Sequence, residues 1–239
     1  MNRLIKSVLV VLCLIPVVWF LGRPGVLIDG SDTNFPLDPV GWFGRRLFVW
    51  NSALNAGYDF SASTAGTVFH LVQVVPSLVG ASLQVTEIIS LVFWFSAILL
   101  AAFFLARTLV PKNPMLQILF ASIYAINPYM FNTWENAKVS NISLVLALPL
   151  FVNLIISLNQ NKISLAKGIL LSTFFGLLIS GAGINPAYFV VFSLVFWICA
   201  IVYWKSIFKS ILMFLIVILV NAFWILPTGN FVFGNIGPF

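Results

Sequence analysis

Asp29, Asp32 and Asp38 are half of the six acidic residues of this chain, and all three stand in the stretch Asp29-Gly30-Ser31-Asp32-Thr33-Asn34-Phe35-Pro36-Leu37-Asp38-Pro39. Carboxylates grouped in this way can take a proton from a hydroxyl as a general base. They can also supply oxygen ligands, which favour magnesium or manganese over zinc. The remainder of the chain is apolar enough to dissolve in lipid, so a carboxylate cluster just beyond the first apolar run has to face water. Each aspartate also has a plainer reading. Asp38 before Pro39 suits the cap and first position of a helix, and Asp29 and Asp32 suit solvated turns.

The elements that position these residues follow from composition. With 61% hydrophobic residues, 8% charged residues and a mean hydropathy of +1.08, the chain lies far from the roughly 25% charged content of soluble domains. It reads as an integral membrane protein. The net charge of +6 is small and spread along the chain, so it orients helices and forms no nucleic-acid patch; no nucleic-acid partner is expected. Cys13 and Cys199 fall in apolar runs and read as small buried residues with no disulfide between them.

The pattern predicts an all-α integral membrane protein, one domain over 1–239, with about seven transmembrane helices and a long first extracytoplasmic loop containing an interfacial amphipathic helix. Residues 1–22 read as a retained signal anchor, because Arg3 and Lys6 precede the apolar run from Val8 to Leu21 and no small-x-small cleavage pattern follows. Residues 23–85 form the loop. Further spans are predicted over 86–108, 115–131, 141–158, 167–184, 187–204 and 210–227, with an extracytoplasmic tail over 228–239. The tail follows the last span with no cap or soluble domain, which reads as the front part of a longer protein. Alternate ends carry basic pairs without acids: Arg3 with Lys6, Arg107 with Lys112, Lys162 with Lys167, and Lys205 with Lys209. These ends, and with them the N-terminus, belong in the cytoplasm of a multi-pass cell (inner) membrane protein.

Within the loop, Phe43, Leu47, Trp50 and Leu54 recur at helical spacing after Asp38-Pro39. They predict an amphipathic helix lying flat at the membrane surface, with Arg45 and Arg46 off its apolar stripe. The run from Ala65 to Val79 contains His70, Gln73 and Pro76 and is expected to lie on the outer leaflet or dip into it. Gly176, Ser180 and Gly183 allow close helix packing. Asn127-Pro128, Asn185-Pro186 and Leu226-Pro227 mark helix ends or kinks.

Asp32-Thr33, Asp38-Pro39, Gly41-Trp42-Phe43, Arg45-Arg46-Leu47, Trp50-Asn51 and Gly57 together resemble the first outer loop of GT-C class membrane glycosyltransferases. The likeness is greatest to the α-(1→3)-arabinofuranosyltransferase-type family. Tyr124-Ala125-Ile126-Asn127-Pro128, followed by Glu135, is similar to that family's third span and second outer loop. The chain departs from the family after Gly57, where Thr67-Val68-Phe69-His70 replaces an aromatic-rich Leu-Phe-Pro run. The resemblance implies an enzyme of cell-envelope biogenesis. It would take a sugar, arabinofuranose-like or other, from a polyprenyl-phosphate donor and pass it to an extracytoplasmic glycan or lipid acceptor, with Asp32 as the catalytic base.

The chemistry is consistent with that implication. A glycosyl phosphate already carries a good leaving group, so direct displacement needs one carboxylate base and not the acid-and-base pair of a glycosidase. A divalent cation, magnesium or manganese, held by Asp32 with Asp29 or Asp38 would assist, as would Arg45, Arg46 or Lys138 paired with the phosphate. Other roles remain open for several of these residues. Arg45 and Arg46 suit headgroup anchors, Glu135 and Lys138 suit an ion pair one turn apart, and His70 suits a polar position in an interfacial segment. No charged residue falls in the middle of a predicted span, which argues against ion-coupled transport. The alternative functions are a non-catalytic lipid-linked-oligosaccharide binder or flippase-like component, and a membrane scaffold.

Overall fold

The computed structural model describes residues 3–28, 35–51, 58–136 and 138–234. In chain order the helices are α1 (Arg3–Cys13), α2 (Ile15–Val18), α3 (Pro39–Arg46), α4 (Ser61–Thr64), α5 (Thr67–Leu78), α6 (Leu83–Leu109) and α7 (Pro114–Ala125). They continue with α8 (Pro128–Glu135), α9 (Val139–Asn159), α10 (Leu165–Ile179), a 3-10 turn at Ser180–Ile184, α11 (Pro186–Val202), α12 (Ile207–Val220) and α13 (Ala222–Gly234). Among the described residues the β-structure is one antiparallel ladder, β1 (Trp50–Asn51) with β2 (Tyr58–Asp59), in which Trp50 faces Asp59. The chain forms two compact units, Met1–Val40 with Val72–Lys138, and Gly41–Leu71 with Val139–Phe239.

The first unit is built on α6. Its 27 residues extend for about 40 Å, enough to cross a hydrocarbon core of about 30 Å. Ser82 caps its start by accepting the Val85 N–H at 3.3 Å, and α1, α2 and α7 pack against it. Trp94, Phe95, Ile98, Leu99, Ala102 and Phe103 form its buried face.

The second unit is built on α9. Phe151 is its centre, meeting Phe192 at 5.0 Å, Phe175 at 5.8 Å and Phe196 at 6.0 Å between ring centroids. The expected close packing at small residues is present. A methyl on Gly176 would touch the Val217 backbone at 3.6 Å, and one on Gly183 would strike the Trp224 ring at 2.6 Å. Asn221 ties the α12–α13 break to α10: its amide donates to the Gly176 carbonyl at 2.9 Å and accepts the Trp224 indole N–H at 2.7 Å.

The expectation of about seven spans is corrected. Among the described residues three helices are long and apolar enough to cross a membrane, Leu83–Leu109, Val139–Asn159 and Leu165–Ile184, and a fourth span is reached only if Pro186–Val202 and Trp204–Val220, bent by 103°, count as one. Each lost span has a local cause. The anchor predicted over 1–22 breaks at Leu14, ahead of Pro16, into helices of 11 and 4 residues. The span predicted over 115–131 stops at Ala125, because Asn127-Pro128 starts a separate eight-residue helix. Of the last two predicted spans, the first forms a helix of 17 residues that ends at Val202, close to its expected end, and the second breaks at Asn221.

The interfacial helix expected from Pro39 through Leu54 is also shorter. It ends at Arg46, and Trp50, expected on its apolar stripe, pairs in the ladder instead. Leu54 lies outside the described residues. The 65–79 run forms α5, whose 12 residues reach about 18 Å, too short to cross. Leu71, Val75 and Leu78 make an exposed apolar stripe along it.

Candidate functional site

Beyond α2 the chain turns through two glycines with left-handed backbones, Gly22 (φ +70°) and Gly25 (φ +76°), a conformation that glycine adopts without the Cβ clash of other residues. It then runs along the start of α6, where side chains one turn apart hold it. Gln84 accepts the Gly25 N–H at 3.0 Å and donates to the carbonyls of Arg23 at 2.6 Å and Val26 at 3.0 Å. Glu87 receives the Ile28 N–H on both carboxylate oxygens at 3.1 Å.

The segment so held forms one wall of a cavity of about 310 Å³, contributing Arg23, Val26, Leu27 and Ile28, with Trp19 and Phe20 from the end of the N-terminal helices. Helix α8 supplies the facing wall through Phe131, Trp134 and Glu135. Asn127 starts α8 by accepting the Met130 N–H at 3.0 Å. Trp134 is fixed by its indole N–H, which donates to the Ala125 carbonyl at 3.1 Å, and by Phe95, 5.5 Å away between rings. The cavity is therefore apolar and aromatic, with one cation, Arg23, and one carboxylate, Glu135, in its lining. That combination suits an amphiphile with an anionic head.

Of the residues singled out by sequence, Asp29 and Asp32 lie outside the described residues. Asp38 is exposed, immediately before α3. Glu135 is in the cavity wall of the first unit, and Lys138 is half-buried after α8, its N–H donating to the Thr133 carbonyl at 3.2 Å. In the second unit Arg45 is exposed, its guanidinium 5.5 Å from the Trp42 ring centre. Arg46 is 8% exposed, donates to the Ser63 carbonyl at 2.7 Å and sits 5.1 Å from Trp42 and 5.8 Å from Phe60. His70 is buried edge-on to Phe69, 5.4 Å between rings. Among the described residues no three His, Cys, Asp or Glu side chains gather as a metal site, so no described donor set fits the expected cation.

Arg23, Gln84 and Glu87 were not singled out by sequence. The available signal was an acid at the start of a long apolar helix, where a charge needs a stated purpose.

An all-α protein with a few long apolar helices, of a length and composition suited to a membrane, is the class that this architecture defines. Compared with protein-family models, curated proteins and solved structures, the chain matches none.

Proposed function

We propose that this chain is a membrane glycosyltransferase that moves a sugar from a polyprenyl-phosphate donor to a hydroxyl of a glycan or lipid acceptor, with Asp32 as general base. The reading keeps the chemistry of the GT-C resemblance and not its architecture. The observation that carries it is the cavity at the start of α6, apolar and aromatic with Arg23 in its lining. Its wall ends at Ile28, four residues before Asp32 in sequence, and four residues of chain reach roughly 14 Å at most. An isoprenoid tail suits the aromatic walls, and a guanidinium suits the phosphate. Arg107 and Lys112, at the other end of α6, argue for the cavity on the outer face of the cell membrane.

In the proposed step the acceptor hydroxyl gives its proton to the Asp32 carboxylate as its oxygen attacks the anomeric carbon. The bond from that carbon to the phosphate oxygen breaks, and polyprenyl phosphate leaves with the electron pair. The test is transfer from a radiolabelled polyprenyl-phosphate sugar pool in membranes, comparing wild type with Asp32→Asn at matched expression. A loss of about 10²- to 10⁴-fold in the variant is expected. Equal transfer by both proteins would remove Asp32 as the base, and no transfer by wild type from any donor would remove the enzyme reading.

A further inference from the structure

Two side chains on one turn of α6 shape the cavity without lining it. Gln84 and Glu87 are three residues apart, on the same helical face. Between them they bind the backbone at Arg23, Gly25, Val26 and Ile28. Three of those four residues line the cavity. The segment is irregular and contains Gly25, with the wide backbone freedom of glycine, and within it the Val26 N–H reaches the Arg23 carbonyl at a long 3.4 Å. Glu87 is 2% exposed, and burying a carboxylate costs several kcal/mol unless hydrogen bonds compensate it. Here both of its oxygens accept one N–H of the wall. A wall fixed before a ligand arrives lowers the ordering cost of binding.

We propose that Gln84 and Glu87 are positioning residues: they hold Arg23 to Ile28 in the shape that receives an amphiphile with a phosphate head and an isoprenoid tail. The inference rests on the proposed reading of the cavity, and it adds the residues that tune the cavity's affinity.

The test uses the full chain in lipid nanodiscs with farnesyl phosphate as the probe. Its Kd is measured for wild type, Gln84→Ala, Glu87→Ala and Glu87→Gln, alongside amide hydrogen exchange at Ile28 and in the middle of α6. Each alanine variant is expected to weaken binding about tenfold, because a wall released from α6 has to be ordered when the ligand binds. Glu87→Gln, whose amide oxygen still accepts the Ile28 N–H, is expected to bind within about threefold of wild type. Exchange at Ile28 should speed up in Glu87→Ala while the middle of α6 stays protected, which separates a loosened wall from a misfolded helix. If Glu87→Ala does not fold, Gln84→Ala decides the matter.

Unchanged Kd in the alanine variants would overturn the inference. So would a glutamine variant as weak as alanine, or failure of wild type to bind farnesyl phosphate. Binding with the expected order of variants but without sugar transfer would overturn the proposed enzyme and leave the positioning role standing.

Discussion

Gly183 lies so close to a neighbouring ring that a side chain there has no room. Gly183 was legible because a glycine in an apolar helix has few uses besides letting another group come close. The group that comes close is Trp224, 4% exposed and fixed by its indole bond to Asn221. Gly183→Ala is therefore expected to cost about 1–3 kcal/mol by overpacking, read as a lower unfolding temperature in detergent. Combining it with Trp224→Leu should cost less than the sum of the two single changes, because the smaller side chain frees the space the methyl needs. Additive costs would show that the close contact is not the source. Glu87, by contrast, was illegible as a functional residue because the backbone it holds lies 59 residues away, and no local pattern announces a partner at that distance. Arg46 was legible as a cation of interest, and its guanidinium meets Ser63, Trp42 and Phe60 within its own unit.

Breaks at Asn-Pro pairs were more legible than breaks inside apolar runs. Asn127-Pro128 and Asn185-Pro186 were read as helix ends or kinks, and each asparagine caps the helix that follows it, accepting the N–H of Met130 and of Ala187. The break at Asn221 left no such mark, whereas the one at Tyr203 was expected from Lys205 and Lys209, between the spans over 187–204 and 210–227. Leu219, Val220, Ala222 and Phe223 around Asn221 are as apolar as a continuous span, and an averaged hydropathy does not register a bend. Nor does it register how short a helix is: α11 has 17 residues and α12 has 14, so about seven spans were read where, among the described residues, three, or four with the bent pair, meet the length and composition required. Similarly, the apolar spacing of Phe43, Leu47 and Trp50 fits a helix by periodicity alone, yet the helix stops at Arg46 and Trp50 pairs with Asp59 across the ladder. Asn221 gives the second break a testable basis. Its buried side chain serves Gly176 and Trp224, so Asn221→Leu leaves the indole N–H without its acceptor and is expected to cost about 1–3 kcal/mol, measured by thermal unfolding. A more stable variant would mean that α12 and α13 prefer to join as one helix.

For the whole molecule, the charges can be read with the fold of the second unit. Lys162 lies in the connection between α9 and α10 and Lys167 in the first turn of α10; among the described residues α9, and α10 together with its 3-10 turn, are each long enough to cross. Lys209 donates to Asn161 in that connection at 3.0 Å, which brings the start of α12 to the same end. Basic residues far apart in sequence thus gather at one end of the unit, as the alternation of basic pairs led one to expect for these helices. An excess of lysine at the ends of short connections favours retention in the cytoplasm. We therefore expect a cysteine at Lys162 to label with a membrane-impermeant thiol reagent only from the cytoplasmic side. A cysteine at Ala187, exposed just after the far end of α10 and its 3-10 turn, should label only from the outside. Labelling of both from one face would mean that Leu165–Ile184 does not cross, whatever its length. If the lysines set the orientation, replacing Lys162, Lys167, Lys205 and Lys209 together by glutamine should give a population in which each cysteine labels from both sides. An unchanged pattern would assign the orientation to the first unit, whose basic residues Arg107 and Lys112 stand at the end of α6.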